Sequence, residues 1–219
     1  PARKVAYILS RFPVLTETFI IGEIEELRRR GIDVQVFSLK GPKRDEVFHR
    51  NTEELINTTH YIPYLFSSVI WEGLFFYLRI KPGTCFDIFR AILRTHLRNP
   101  VQLLKTLAVI PKTFGIAITL NKSGIAKVHA HWASIPSTTA WMVAKLNDIT
   151  FTFTGHAWDI FEIDTMLKEK MQNARKIIVI SEYNKQYLHK KFPSIDPEKI
   201  IVIHCGVDLG KFSPQKSIK

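Results

Sequence analysis

The chain has 219 residues, 46% of them hydrophobic and 23% charged, a balance that excludes a disordered chain and allows one large or two small domains. Its two cysteines, Cys85 and Cys205, are far apart and lack metal-ligand spacing, which fits a reduced, cytosolic protein better than a disulfide scaffold. The net charge of +11 calls for acidic partners, and neither a signal sequence nor a membrane-spanning helix is read: the most apolar stretch, residues 64–78, is about fifteen residues long and interrupted by Glu72.

In chain order, Lys4 to Ser10 is a short apolar run of the kind that forms a buried parallel strand. A helix follows, with Thr16 as the expected N-cap, Leu15 and Ile20 as a hydrophobic staple and Glu17 in the first turn. Ile20, Ile24 and Leu27 recur at helical spacing, and Gly31 is a natural stop. Asp33 to Leu39 returns as a second strand, closing a β-α-β unit. Residues 65–122 read as a helical insertion within the same domain, broken by Pro82-Gly83, Pro100 and Pro111. From Arg79 to Lys127 the chain is basic: Arg79, Lys81, Arg90, Arg94, Arg98, Lys105, Lys112, Lys122 and Lys127 are opposed by Asp87 alone. A solvated helical face, a nucleic-acid patch and contact with an anionic membrane are the three readings. No helix-turn-helix, zinc-finger or RNP-like pattern supports nucleic acid, whereas the interleaved Trp71, Phe75, Phe76, Tyr77, Phe86 and Phe89 suit a membrane surface.

Strands and helices then alternate. Lys127 to His131 is a strand, and a helix from about Ser134–Pro136 carries Ala140, Val143 and Leu146 on one face. Thr150 to Thr154 and Lys176 to Ile180 are strands, Ser181 to about Lys191 a helix, and Ile200 to His204 a last strand. The pattern predicts an α/β fold, a Rossmann-like doubly wound parallel sheet with helices on both faces and a helical insertion. One domain is expected over 1–206, and the turn-rich residues 207–219 read as the start of a linker to a second, absent domain.

In such a sheet ligands sit beyond the carboxyl ends of the strands. Four places qualify. Ser10-Arg11-Phe12-Pro13 leads into Thr16-Glu17-Thr18, a helix start whose amides can hold phosphate, although no G-x-G-x-x-G is present. His129 and His131 point the same way from their strand and can share a metal, but no further ligand is evident; a hydrogen-bonded cleft histidine is the preferred reading, and no metal is expected. After the next strand, Gly155 permits close approach, His156 can hydrogen-bond a sugar hydroxyl or shift a proton, Trp158 can stack on a sugar face and Asp159 can fix hydroxyls. Ser181 is plainly an N-cap, with Asn184 beside it in reach of a ligand.

Together these segments resemble the N-terminal domain of glycosyltransferase family 4, the retaining enzymes of GT-B fold, and within it bacterial exopolysaccharide transferases of the colanic-acid type. The likeness is carried by Phe12 to Ile20, by His129-Ala130-His131-Trp132, by Phe153 to Ile160, and by His204 to Asp208 with Phe212 and Pro214. The resemblance implies that His156 lies beside the transferred sugar and acceptor. It places Ser10 to Glu17 near the donor diphosphate, where Phe12-Pro13 stands in place of a common Gly-Gly pair. It further implies a nucleotide-sugar donor without metal or other cofactor, a lipid-linked or glycan acceptor, and a cytoplasmic protein, peripheral at the membrane through the basic aromatic helices of 65–127. The paired glutamates and the basic residues that stabilise the departing diphosphate belong to the family's C-terminal domain, so this fragment alone is expected to be inactive. The alternatives are half of a GT-B-like nucleotide-sugar epimerase and a stand-alone module binding a glycan or an acidic lipid.

Overall fold

A computed structural model describes residues 3–42, 52–63, 67–97, 99–163 and 165–206. The expected linker, with Val207, Asp208, Phe212 and Pro214, lies outside the described residues, as do residues 65 and 66 at the start of the helical stretch. The described strands are β1 (Arg3–Arg11), β2 (Ile32–Lys40), β3 (Thr59–Tyr61), β4 (Lys127–His131), β5 (Thr150–Gly155), β6 (Lys176–Val179) and β7 (Ile200–Val202). They form one sheet in the order β3-β2-β1-β4-β5-β6-β7, and every pairing is parallel. The helices are α1 (Thr18–Arg29), α2 (Thr52–Asn57), α3 (Ser68–Ile80), α4 (Pro82–His96), α5 (Pro100–Lys122), α6 (Ile135–Asn147), α7 (Trp158–Phe161), α8 (Leu167–Asn173) and α9 (Glu182–Lys191).

Alternation along the strands divides the core between the two sheet faces. Tyr7, Leu9, Val34 and Val36 pack under Ile20 and Ile24 of α1. Ala6, Ile8, Phe37 and Leu39 face the opposite side, with the apolar side chains of α5 and α6. In β5 the same alternation sends Phe151 and Phe153 into that second core and leaves Thr152 and Thr154 for the α1 side, which matters below.

The first helix begins later than its sequence suggests. Glu17, not Thr16, is the N-cap. The reason is a turn over residues 14–17, closed by the Glu17 N–H donating to the Val14 carbonyl at 3.0 Å. Leu15 is then 47% exposed. At the other end Gly31 does stop the helix: it takes a φ of +76°, and its N–H donates to the Arg28 carbonyl at 2.9 Å. The final strand ends at Val202 rather than at His204. Beyond it the His204 ring meets the Ile180 carbonyl at 2.9 Å.

From 68 to 122 the described chain is helical, as three helices. Asn99 caps α5 by accepting the Gln102 N–H at 3.2 Å, and Pro100 takes the first helical position. Helix α5 corrects the reading of the apolar stretches: by length and composition alone it is capable of crossing a membrane, yet more than half of that span is buried inside the fold. It is apolar nearly all round because it lies between the sheet and α3. Its Lys112 is buried too, donating to the Leu39 carbonyl at 2.5 Å. The crossing of α3 on α5 needs Gly73, where a Cβ would stand 2.2 Å from the Phe114 carbonyl oxygen.

Candidate functional site

The strand order reverses between β1 and β4, neighbours in the sheet though far apart in sequence, and such a switch point opens a crevice at the carboxyl edge. Helix α1 covers one side of that crevice. Its Phe19 and Glu23 stand four apart and so project together. Phe19 packs on the rings of His131 and His156, with ring centres 6.2 and 5.3 Å away. Glu23 receives the Tyr7 hydroxyl at 2.5 Å through Oε1, and its Oε2 lies 3.3 Å from His131 Nε2. Tyr7 itself, from β1, lies 4.9 Å from the His129 ring and 5.8 Å from that of His131.

The parallel register of β4 on β5 sets His129 opposite Thr152 and His131 opposite Thr154. Both nitrogens of His129 meet threonine hydroxyls as a result, Nδ1 that of Thr152 at 2.8 Å and Nε2 that of Thr154 at 3.2 Å. His131 is 1% exposed, and apart from the 3.3 Å contact of Nε2 with Glu23 its ring nitrogens meet no hydrogen-bond partner among the described residues. Burial, and next the proximity of His131, hold His129 down to about 3 and His156 down to about 4, so both are neutral near pH 7. Burial pushes Glu23 upward, but its contacts with His131, then His129 and Tyr7, outweigh it and bring the carboxyl to about 2. The Tyr7 hydroxyl is pushed up by burial and by Glu23 and remains a donor. The edge therefore holds the Glu23 carboxylate beside the neutral imidazoles of His129 and His156 and the Tyr7 hydroxyl.

His156 follows β5. It is 6% exposed, its Nε2 is buried without a hydrogen bond, and the Trp132 ring packs 4.2 Å away. Trp132 holds a φ of +76°, a left-handed conformation that a bulky residue adopts only when its surroundings impose it. Trp158, on the short helix α7, is 60% exposed and open to stacking.

Asp159 departs from its expected role. It is fully buried; Oδ1 accepts the His156 N–H at 2.8 Å and Oδ2 the Ala133 N–H. Burial pushes its carboxyl up, against the pull of those amides and of Lys170. With both oxygens on backbone, Asp159 braces the loop after β4 against the loop after β5 instead of reaching a sugar. Lys170, also buried, ties the same place from α8 by donating to the Ala133 carbonyl at 2.5 Å.

The other expected site residues lie around this centre. Arg11 ends β1 and is half-buried; Thr16 and Thr18 are exposed at the start of α1, and Glu17 between them is half-buried. Ser181 caps α9 by accepting the Asn184 N–H at 3.2 Å. Asn184 is 3% exposed, with its side-chain amide nitrogen unsatisfied. A shallow depression of about 720 Å³, lined by Gly31, Asp33 and His60 among others, lies beside the start of β2 and belongs to the other end of the sheet.

Sequence reasoning missed Tyr7, Phe19, Glu23 and Trp132. The four-residue spacing of Phe19 and Glu23 on a helix directly after β1 was the available signal. Glu23 also supplies what the His129–His131 pair lacked: the three residues offer ligand atoms all within 4.8 Å of one another and are able to hold a metal. Of these, Glu23 Oε1 already accepts the Tyr7 hydroxyl and both His129 nitrogens meet threonine hydroxyls.

A single parallel sheet with its crevice at the β1–β4 switch, flanked by helices on both faces, defines a Rossmann-like α/β domain. Residues 16–211 match the family described as Glycosyltransferase Family 4, and the chain belongs to that family. No curated protein matches it. Among solved structures it is similar to a glycosyltransferase from Rickettsia africae ESF-5, with a TM-score of 0.55 and 18% identity over 99% of this chain and 47% of that one. A UDP-N-acetylglucosamine 2-epimerase from Rickettsia bellii gives a TM-score of 0.53 and 9% identity, covering 94% of this chain and 45% of the other. A sucrose-phosphate synthase piece from Thermosynechococcus elongatus gives 0.54 and 16%, covering 94% and 90%. At these identities the likeness is one of fold, that of the GT-B glycosyltransferases. The chain spans under half the length of the Rickettsia africae glycosyltransferase.

Proposed function

We propose that this chain is the acceptor-binding half of a retaining glycosyltransferase, moving a sugar from a nucleotide sugar to a lipid-linked or polysaccharide acceptor. The resemblance to bacterial exopolysaccharide enzymes of colanic-acid type supplies the functional analogy for this reading. The observation that carries the reading is His156: a buried, neutral imidazole at the carboxyl edge whose Nε2 has no hydrogen-bond partner among the described residues. Such a group is ready to bond a sugar hydroxyl, and the exposed Trp158 beside it offers a stacking face. Residues 1–206 form the acceptor-side domain in this reading, and 207–219 lead to the donor-binding half. No metal or other cofactor is assigned in this reading, in which Glu23 Oε1 and both His129 nitrogens keep their hydrogen bonds to Tyr7, Thr152 and Thr154. The place of action is the cytoplasmic face of a membrane, where a lipid-linked acceptor presents its sugar. The epimerase alternative rests on fold at 9% identity, whereas the family match is to transferases.

The test is His156→Ala in the full-length protein, followed by release of nucleoside diphosphate with acceptor present. Turnover should fall by about 10²-fold or more. Turnover equal to that of the wild type would remove His156 from the mechanism.

A further inference from the structure

Beyond the transferase reading, the exposed apolar side chains of the described surface are concentrated in α3, α4 and the start of α5. On α3, Trp71, Phe75 and Leu78 recur at helical spacing, turned away from the Ile70–Gly73–Tyr77 stripe that is buried. On α4, Phe86 and Phe89 stand clear of the buried Ile88–Ile92–His96 stripe. Leu104 follows on the first turns of α5. Phe75, Phe86 and Leu104 are 66%, 65% and 69% exposed, values that no internal packing explains.

Three of these residues are followed directly by a cation: Leu78 by Arg79, Phe89 by Arg90 and Leu104 by Lys105. Other basic residues nearby are spoken for. Lys81 pairs with Asp148, Arg94 with Glu169 and Lys122 with Glu72, and Lys112 is buried. Arg79 and Lys105 have no ion pair among the described residues, and Arg90 has only Asp87, 3.5 Å away on an exposed surface. An interface with another folded protein surface draws charged residues out of its centre. Aromatic rings interleaved with cations instead suit the headgroup layer of a bilayer, where rings enter the acyl boundary and cations meet lipid phosphates. Helices α3 and α4, of 13 and 15 residues, are too short to cross, so they lie on the surface.

We propose that the outward faces of α3 and α4, with the first turns of α5, dock this chain on an anionic lipid bilayer. The probe is flotation of the 219-residue chain with phosphatidylglycerol-containing vesicles, against pure phosphatidylcholine vesicles, at low and high salt. Binding is expected to the anionic vesicles only and to weaken with salt. The double variant Phe75→Ser, Phe86→Ser should reduce partition roughly tenfold or more. Arg79→Gln, Arg90→Gln, Lys105→Gln should remove most of the salt-sensitive part. Because these side chains are exposed, thermal melts of both variants should match the wild type, which separates lost docking from lost fold.

The proposal is overturned if the chain stays in the supernatant with anionic vesicles at low salt, if it binds both vesicle types equally, or if either variant partitions like the wild type. A dimer in sedimentation that Phe75→Ser, Phe86→Ser abolishes would assign the face to a second copy and overturn it too. No sugar donor enters this experiment, so its failure leaves the His156 test untouched.

Discussion

Burial sets the charge of the imidazoles at the carboxyl edge. His129 and His156 are held at about 3 and about 4 in the folded protein, against 6.5 for an open imidazole. An unfolded chain would take up protons on both as pH falls below 6.5, while the folded chain would not. The stability difference is therefore fully present above pH 6.5 and is lost as pH falls toward the folded values. Glu23, held at about 2, acts in the same direction at lower pH, between its unfolded value and the folded one. The melting temperature should fall steadily from pH 7 to pH 4, and His129→Gln should flatten that slope. A melting temperature independent of pH over this range would show that the imidazoles are not held neutral. At this scale the sequence conveyed which residues stand at the strand ends but not where their side chains point. Asp159 follows a strand, as a sugar-binding acid would, and then turns inward because two orphan backbone amides, those of Ala133 and His156, lie within its reach.

The helices α3 and α5 meet so closely that a glycine is needed on α3 and a second one on α5 stands in tight contact. Gly73 faces the Phe114 carbonyl, and Gly115 leaves room for Ile70 and Ile62, which would stand 3.2 and 3.3 Å from an added Cβ. Gly73→Ala should therefore force the two helices apart and cost roughly 1–3 kcal/mol, read as a lower midpoint in chemical denaturation. Gly83, on the first turn of α4 with nothing within 4 Å of its Cβ position, is the control: Gly83→Ala should be neutral or stabilise by up to about 1 kcal/mol. Equal effects from the two would mean that the crossing is not tight. Helices and central strands were readable from periodicity, since each carries its own apolar spacing. The edge elements α2 and β3 and the short helices α7 and α8 were not, because segments of three to seven residues are too short to show a period and are held by neighbours.

At the scale of the whole molecule, the order of the sheet decides where chemistry is possible. The switch between β1 and β4 brings Tyr7 from one end of the sequence beside His129 and His131, and α1 closes over them. The proposed division of labour leaves the nucleotide-sugar pocket mainly on the half of the family fold outside this chain. Calorimetric titration of the 219-residue chain with nucleotide sugars should then give no more heat than dilution, and tight binding would contradict that division.

Local spacing by itself determined the order of the strands and longer helices, the parallel α/β class and the stop at Gly31, because each follows from the backbone preferences and apolar period of neighbouring residues. The family resemblance was equally legible, being carried by short contiguous motifs. Only the tertiary structure decided that Glu23 joins Tyr7 and His131, that Asp159 braces two loops, and that Trp71, Phe75, Phe86 and Phe89 face outward while Tyr77 is buried and Phe76 largely so. Each of these depends on which distant segment lies across the gap, and residues far apart in the chain have no period to announce their meeting.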